Sequence, residues 1–197
     1  MENWDALRLC AAYAEETGLA AVLSRKGEND APFDMLFLPA FLQAPDEKAS
    51  PMSFSVYFAN SPYAFMERLE YDLLHMMGYI EHVTRPSTVR ELRAFLGEVN
   101  FQMPVGAFDV DADGTVFLRY TLPVPKEMTE ETFLRQYGIV FGLLNAFALA
   151  FLNPIFAVIR GERTAKTAMD LAREELDRIQ ARLRQSLEEK KGDNPNE

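Results

Sequence analysis

The sequence predicts an α+β fold. An antiparallel sheet of about five or six strands is covered on one face by helices, and a C-terminal heptad helix follows. Three observations carry this. Residues 54–58 and 105–120 alternate apolar and polar side chains with period two, as strands with one buried face do. Residues 2–16, 87–99 and 130–158 carry apolar residues at helical spacing. From Ala165 a stripe steps by 4 and 3 along a polar helix. With 197 residues, 48% of them apolar and 25% charged, the chain has material for one sizeable core and an extension.

In order along the chain, residues 2–16 form a helix striped by Trp4, Leu7, Cys10, Ala11 and Ala14 and closed by Gly18. Leu19 to Arg25 reads as a strand, with a turn at Gly27-Glu28-Asn29-Asp30. Phe33 to Leu42 is apolar on both faces, which suits a buried strand or a short helix, and Pro39 points to a bulge or an edge. Ala44 to Pro51 is polar and loop-like, and Met52 to Asn60 alternates, with Phe54, Val56 and Phe58 on one side and Ser53, Ser55 and Tyr57 on the other. Glu67 to Val83 fits both periods. We read it as a strand with an irregular stretch, because Leu69, Tyr71 and Leu73 alternate with charged residues.

Pro86 precedes a Ser87 cap, and Val89, Leu92, Leu96 and Val99 stripe the helix behind it. Phe101 to Pro125 reads as two strands around Ala112-Asp113-Gly114, where a short hairpin loop needs a positive φ. Thr129 caps the next helix, and Glu130 and Glu131 suit its positive end. Tyr137 to Ile159 contains no charge and is long enough for a membrane span. We read it as a buried core helix, interrupted by Asn145 and Asn153 and kinked or broken at Pro154. The last helix, about Glu162 to Lys191, carries Ala165, Met169, Ala172, Leu176, Ile179, Leu183 and Ser186 on its stripe. The domain boundaries are then 1–161, 162–191 and a disordered tail over 192–197.

The net charge of −10 argues against nucleic acid and anionic lipid surfaces as partners. The charge is uneven: residues 1–161 hold 12 Lys/Arg and 21 Asp/Glu (−9), and residues 162–191 hold 8 and 7 (+1). One cysteine and an N-terminus without a basic, apolar leader pattern point to a reducing, cytoplasmic setting.

Asn100 behind an amphipathic helix, then Pro104-Val105-Gly106-Ala107-Phe108, the acidic turn with Gly114, the strand Val116-Phe117-Leu118-Arg119-Tyr120 and the helix after Thr129 together resemble the YbjN domain family. The resemblance covers residues about 69–160; the first 68 fit as element order. That family shares its fold with the class I type III secretion chaperones. The resemblance implies a domain that binds protein segments or serves as a regulatory module, often as a dimer, and it names no catalytic residue. The heptad helix and the length of the front region depart from the plain family pattern.

No motif spells out a chemistry. Asp109, Asp111 and Asp113 with Gly114 match half a calcium loop, yet its twelfth position is Tyr120, where a bidentate Glu is needed, and strands flank it. Seven residues apart, His75 and His82 fall on opposite faces of a strand or two turns apart on one face of a helix, and neither gives the close pair of a metal site. Cys10 sits on an apolar stripe and reads as a small buried hydrophobe. Arg90 and Arg93 share a helix face that is expected to be solvated, and Glu67, Glu70 and Asp72 read as lone surface carboxylates.

The expected function is therefore a non-enzymatic protein-binding or regulatory module without cofactor, metal or membrane span. It is expected to be homodimeric, with Leu176, Ile179, Leu183 and Leu187 as candidate interface. The alternative is a small-ligand binder or enzyme with a pocket between sheet and helices, and Arg119, Tyr120 or His75 at its mouth.

Overall fold

The computed structural model describes residues 1–42, 52–59 and 70–192, with the side chains of 40–42, 180 and 182–192 outside the description. The loop expected over 44–51, Glu67 and the tail from 193 thus lie outside the described residues.

Helix α1 (Asn3–Glu16) buries Ala6, Leu7, Cys10, Ala11 and Ala14. It ends as its glycine requires: Gly18 has φ +84°, and the Leu19 amide donates back to the Ala14 carbonyl at 3.0 Å. Six strands follow: β1 (Val22–Ser24), β2 (Met35–Leu42), β3 (Met52–Ala59), β4 (Tyr71–His82), β5 (Ala107–Val110) and β6 (Thr115–Pro125). All pair antiparallel, in the order β1-β2-β3-β4-β6-β5. The ambiguous region is strand β4 from Tyr71, and the register of β2 shifts between Leu38 and Leu42, around Pro39.

Helix α2 (Pro86–Gln102) begins two residues earlier than a Ser87 cap would place it. Pro86 itself occupies the first turn, where its missing N–H costs nothing, and Arg85 is the cap residue without a side-chain bond. Helix α3 (Glu130–Ile159) is capped by Thr129, whose hydroxyl accepts from the Thr132 amide at 3.3 Å. Of the kink or break expected at Pro154, the break is absent: the helix runs on from Glu130 to Ile159. Phe151, Leu152, Ile155 and Phe156 on either side are all buried, and that packing carries the helix through the lost backbone bond.

One face of the sheet, from Leu36, Phe54 and Val56 through Leu74 and Met76 to Leu118 and Val116, is fully buried under α1, α2 and α3. Helix α4 (Ala165–Gly192) lies outside these, against α2 and α3. Its first half is core: Ala168, Met169 and Ala172 are buried, and the Ala165 amide donates to a Glu91 carboxylate oxygen at 2.6 Å. The front of the heptad stripe is therefore covered by its own chain.

Candidate functional site

The other face of the sheet has no helix over it among the described residues. Cross-strand pairing sets its rows. Met35, Tyr57, His75 and Thr121 form one row; Ser55, Met77 and Arg119 the next; Tyr79, Phe117 and Asp109 a third. A solvated sheet face would carry Lys, Glu and Thr at these positions. Here it carries aromatic rings and methionines.

Phe33, ahead of β2, stacks on Tyr57 with ring centroids 5.2 Å apart, and Tyr57 stacks on His75 at 5.4 Å. The Tyr57 hydroxyl donates to the Met77 sulfur at 3.1 Å. His75 Nδ1 lies 3.1 Å from the Thr121 hydroxyl. Burial among these rings holds the imidazole below its usual value and raises the Tyr57 phenol. A groove of about 470 Å³ runs between Phe33, Met35, Tyr57, Met77, Tyr79 and Phe117, with Asp111 and Thr115 at its end. Phe33 and Tyr79 are 40% and 46% exposed, so the apolar surface is open to solvent.

The acidic turn closes this end by building the hairpin. Asp111 Oδ1 accepts from the amides of Asp113 and Thr115, both at 2.9 Å. Asp109 accepts from the Val110 amide and pairs with Arg119 at 3.2 Å. Gly114 (φ +90°) passes so close to the chain before α2 that its carbonyl accepts from the Val83 amide at 2.8 Å. The carboxylates of Asp109 and Asp111 are thus engaged within the hairpin, and no cluster of three metal-ligating side chains occurs among the described residues.

The β5 edge is closed by side chains. Asn100 donates to the Phe108 carbonyl at 2.7 Å and accepts from the Phe108 amide at 2.8 Å, as a neighbouring strand would. Arg93 donates to the carbonyls of Val110 and Asp111 at 3.4 and 3.1 Å. Far from a free solvated face, Arg93 ties α2 to the hairpin. The opposite edge, β1, is three residues long. The β5 edge thus leaves a partner little free backbone to pair with.

The remaining sequence candidates are dispersed. Cys10 is buried against the Tyr137 hydroxyl, and burial drives its thiol pKa far up. Burial likewise raises Tyr137, whose hydroxyl has no regular hydrogen bond. The two histidines do not sit on opposite faces. A bulge between Tyr79 and Glu81 shifts the register, so His82 pairs with Thr115, its Nδ1 3.4 Å from the hydroxyl that lines the groove. His75 and Arg119 reach the uncovered face, whereas Tyr120 packs toward the core; the three do not meet at the mouth of a pocket between sheet and helices. Of the candidate interface, Leu176 and Ile179 are partly buried against the core, and the side chains of Leu183 and Leu187 lie outside the described residues.

The sequence pattern sets Tyr57 on the side opposite Phe54 and Val56 but does not gather it with the other rings. The available signal was the residue type: Tyr57, Met77, Tyr79 and Phe117 occupy outward positions on three adjacent strands.

The sequence model of the YbjN family, described as "Putative bacterial sensory transduction regulator", matches residues 38–153. No curated protein matches the chain.

Proposed function

The chain belongs to the YbjN family, and on that premise we propose that it is a non-enzymatic regulatory module acting through protein–protein contacts on the uncovered face of its sheet. The observation that carries this reading is the open row of rings and methionines: Phe33, Tyr57, Tyr79 and Phe117 with Met35 and Met77. Methionine and aromatic side chains adapt to varied partner surfaces and give large contact area at low entropic cost. The closed β5 edge and the short β1 supply the complement. A partner meets the face, as on a secretion-chaperone-like scaffold, rather than extending the sheet.

The proposal includes a cytoplasmic homodimer. The outer side of α3 supports it: Ile139 and Leu149 are 58% and 43% exposed, with the small Gly142 and Ala146 between them and no charge from Tyr137 to Ile159. By length and composition α3 would also cross a bilayer, but 56% of its most apolar window is buried inside the fold, as in a core helix. The proposed interface also includes the far part of α4, with Leu183 and Leu187.

The test compares capture from native cytoplasm by the wild-type chain, by a Met77→Lys/Phe117→Lys variant and by a chain ending at residue 180. Loss of a stoichiometric partner with the double variant, at unchanged circular dichroism, is the expected result. Equal capture by all three forms refutes the reading.

A further inference from the structure

We propose that the groove on the uncovered face is a binding site for a small organic cation whose charge sits on alkylated nitrogen, an alkylammonium ion. The inference rests on the reading of that face as the working surface and adds the chemistry of what it takes.

Its size comes first. A hollow of about 470 Å³ falls in the range of small-molecule sites, roughly 300–1,000 Å³. The walls come second. The faces of aromatic rings carry negative quadrupole charge, and alkylated ammonium ions, weakly hydrated, gain most from them. Phe33, Tyr57, Tyr79 and Phe117 line the one hollow; Tyr57 is stacked between Phe33 and His75, so Tyr79 and Phe117 are the lining rings without a stacking partner among the described residues, and Met35 and Met77 add polarizable rather than charged surface.

The charge comes third. Among the described residues, Asp111 is the one charged residue in the lining. Its Oδ1 is held in place by two backbone amides, and it has no cationic partner among the described residues. The nearby cations are committed elsewhere: Arg119 pairs with Asp109, and Arg93 reaches the main-chain carbonyl of Asp111, not its carboxylate. With Oδ1 engaged twice, Oδ2 remains as a single acceptor. That suits a point charge better than the two-pronged fork of a guanidinium. The net charge of −10 adds a favourable long-range field for a cation.

The experiment uses the full chain labelled with ¹³C at the methionine methyl groups. Benzyltrimethylammonium chloride is titrated against neutral benzyl alcohol. The inference expects saturable shifts at Met35 and Met77, none at the helix-side Met52 and Met76, and binding of the cation at least about 5-fold tighter than of the alcohol. Asp111→Asn keeps the Oδ1 acceptor of the turn; it is expected to erase most of the cation's advantage and leave the alcohol unchanged. Phe117→Ala, checked for an unaltered fold by its spectrum, is expected to weaken both. Equal affinity for cation and alcohol, no change on Asp111→Asn, or no movement of the Met35 and Met77 methyls each overturns the inference. Equal affinity would still leave an apolar face fit for docking, so the protein-binding reading stands or falls separately, by the capture test.

Discussion

Asn100→Ala is the substitution that most directly probes how the sheet is closed. Asn100 makes two short bonds to one residue of the edge strand, at 2.7 and 2.8 Å, to the carbonyl and the amide of Phe108. The alanine variant leaves both backbone groups without their partner, beside a side chain that is 1% exposed. Each such bond is worth a net of about 0.5–1.5 kcal/mol, so the loss is about 1–3 kcal/mol. For a chain of this length each kcal/mol moves the melting temperature by about 2–4 °C, which gives a fall of roughly 2–12 °C. Thermal unfolding followed by circular dichroism measures it. Amide hydrogen exchange gives the sharper reading, because the amide of Phe108 is turned toward Asn100 while its neighbour Asp109 faces Phe117 across the ladder. Exchange at Phe108 should rise well above that at Asp109. An unchanged melting temperature, or equal acceleration at both amides, would refute the view that Asn100 stands in for a strand.

Gly114→Ala is expected to cost about 2–4 kcal/mol in chemical denaturation, since φ is +90° and a new Cβ would meet the Val83 carbonyl oxygen. Met169→Ala should destabilise by about 2–5 kcal/mol, as for a buried core methionine, whereas Leu183→Ser with Leu187→Ser should leave the unfolding midpoint nearly unchanged and weaken association instead. Burial holds His75 below its usual value of 6.5, so the unfolded chain takes up this proton first; the stability is complete above pH 6.5 and declines as the pH falls from there toward the folded-state value. His75→Gln should flatten that slope in unfolding experiments run above the carboxylate range, which begins near about pH 4. Calorimetric titration with calcium should show no micromolar binding, because Asp109 and Asp111 are engaged within the hairpin. Light scattering should report a dimer, and a 22.4 kDa monomer would contradict the assembly proposed.

Much of the fold was legible because one face of the sheet is buried. Phe54 and Val56 on β3 flank Ser55, and Val116, Leu118 and Leu122 on β6 recur at even spacing to reach the core, and that period of two fixes both element and face. Asn100, Phe108 and the Gly114 turn were among the residues that carried the family likeness, and the structure gives each of these three a physical task. What was not legible depended on long-range packing. The bulge at Tyr79–Glu81 moves His82 onto the face of Thr115, a register effect that no local pattern announces. Helix α3 runs through Pro154 because its flanks are buried on all sides. The heptad stripe of α4 reads the same whether Met169 and Ala172 meet a twin or their own α3, and only the tertiary fold decides for the first half. The groove stayed hidden because its residues come from the segment before β2, from β2, β3, β4 and β6, and from the turn between β5 and β6.

The central claim is that the uncovered sheet face is where this protein meets other molecules. Hydroxyl-radical footprinting of the purified chain and of the same chain in native cytoplasm, read by mass spectrometry, tests it directly. The account predicts protection in cytoplasm concentrated at Met35, Tyr57, Met77 and Tyr79. Unchanged oxidation at these four residues, with protection appearing on α4 or nowhere, would contradict it.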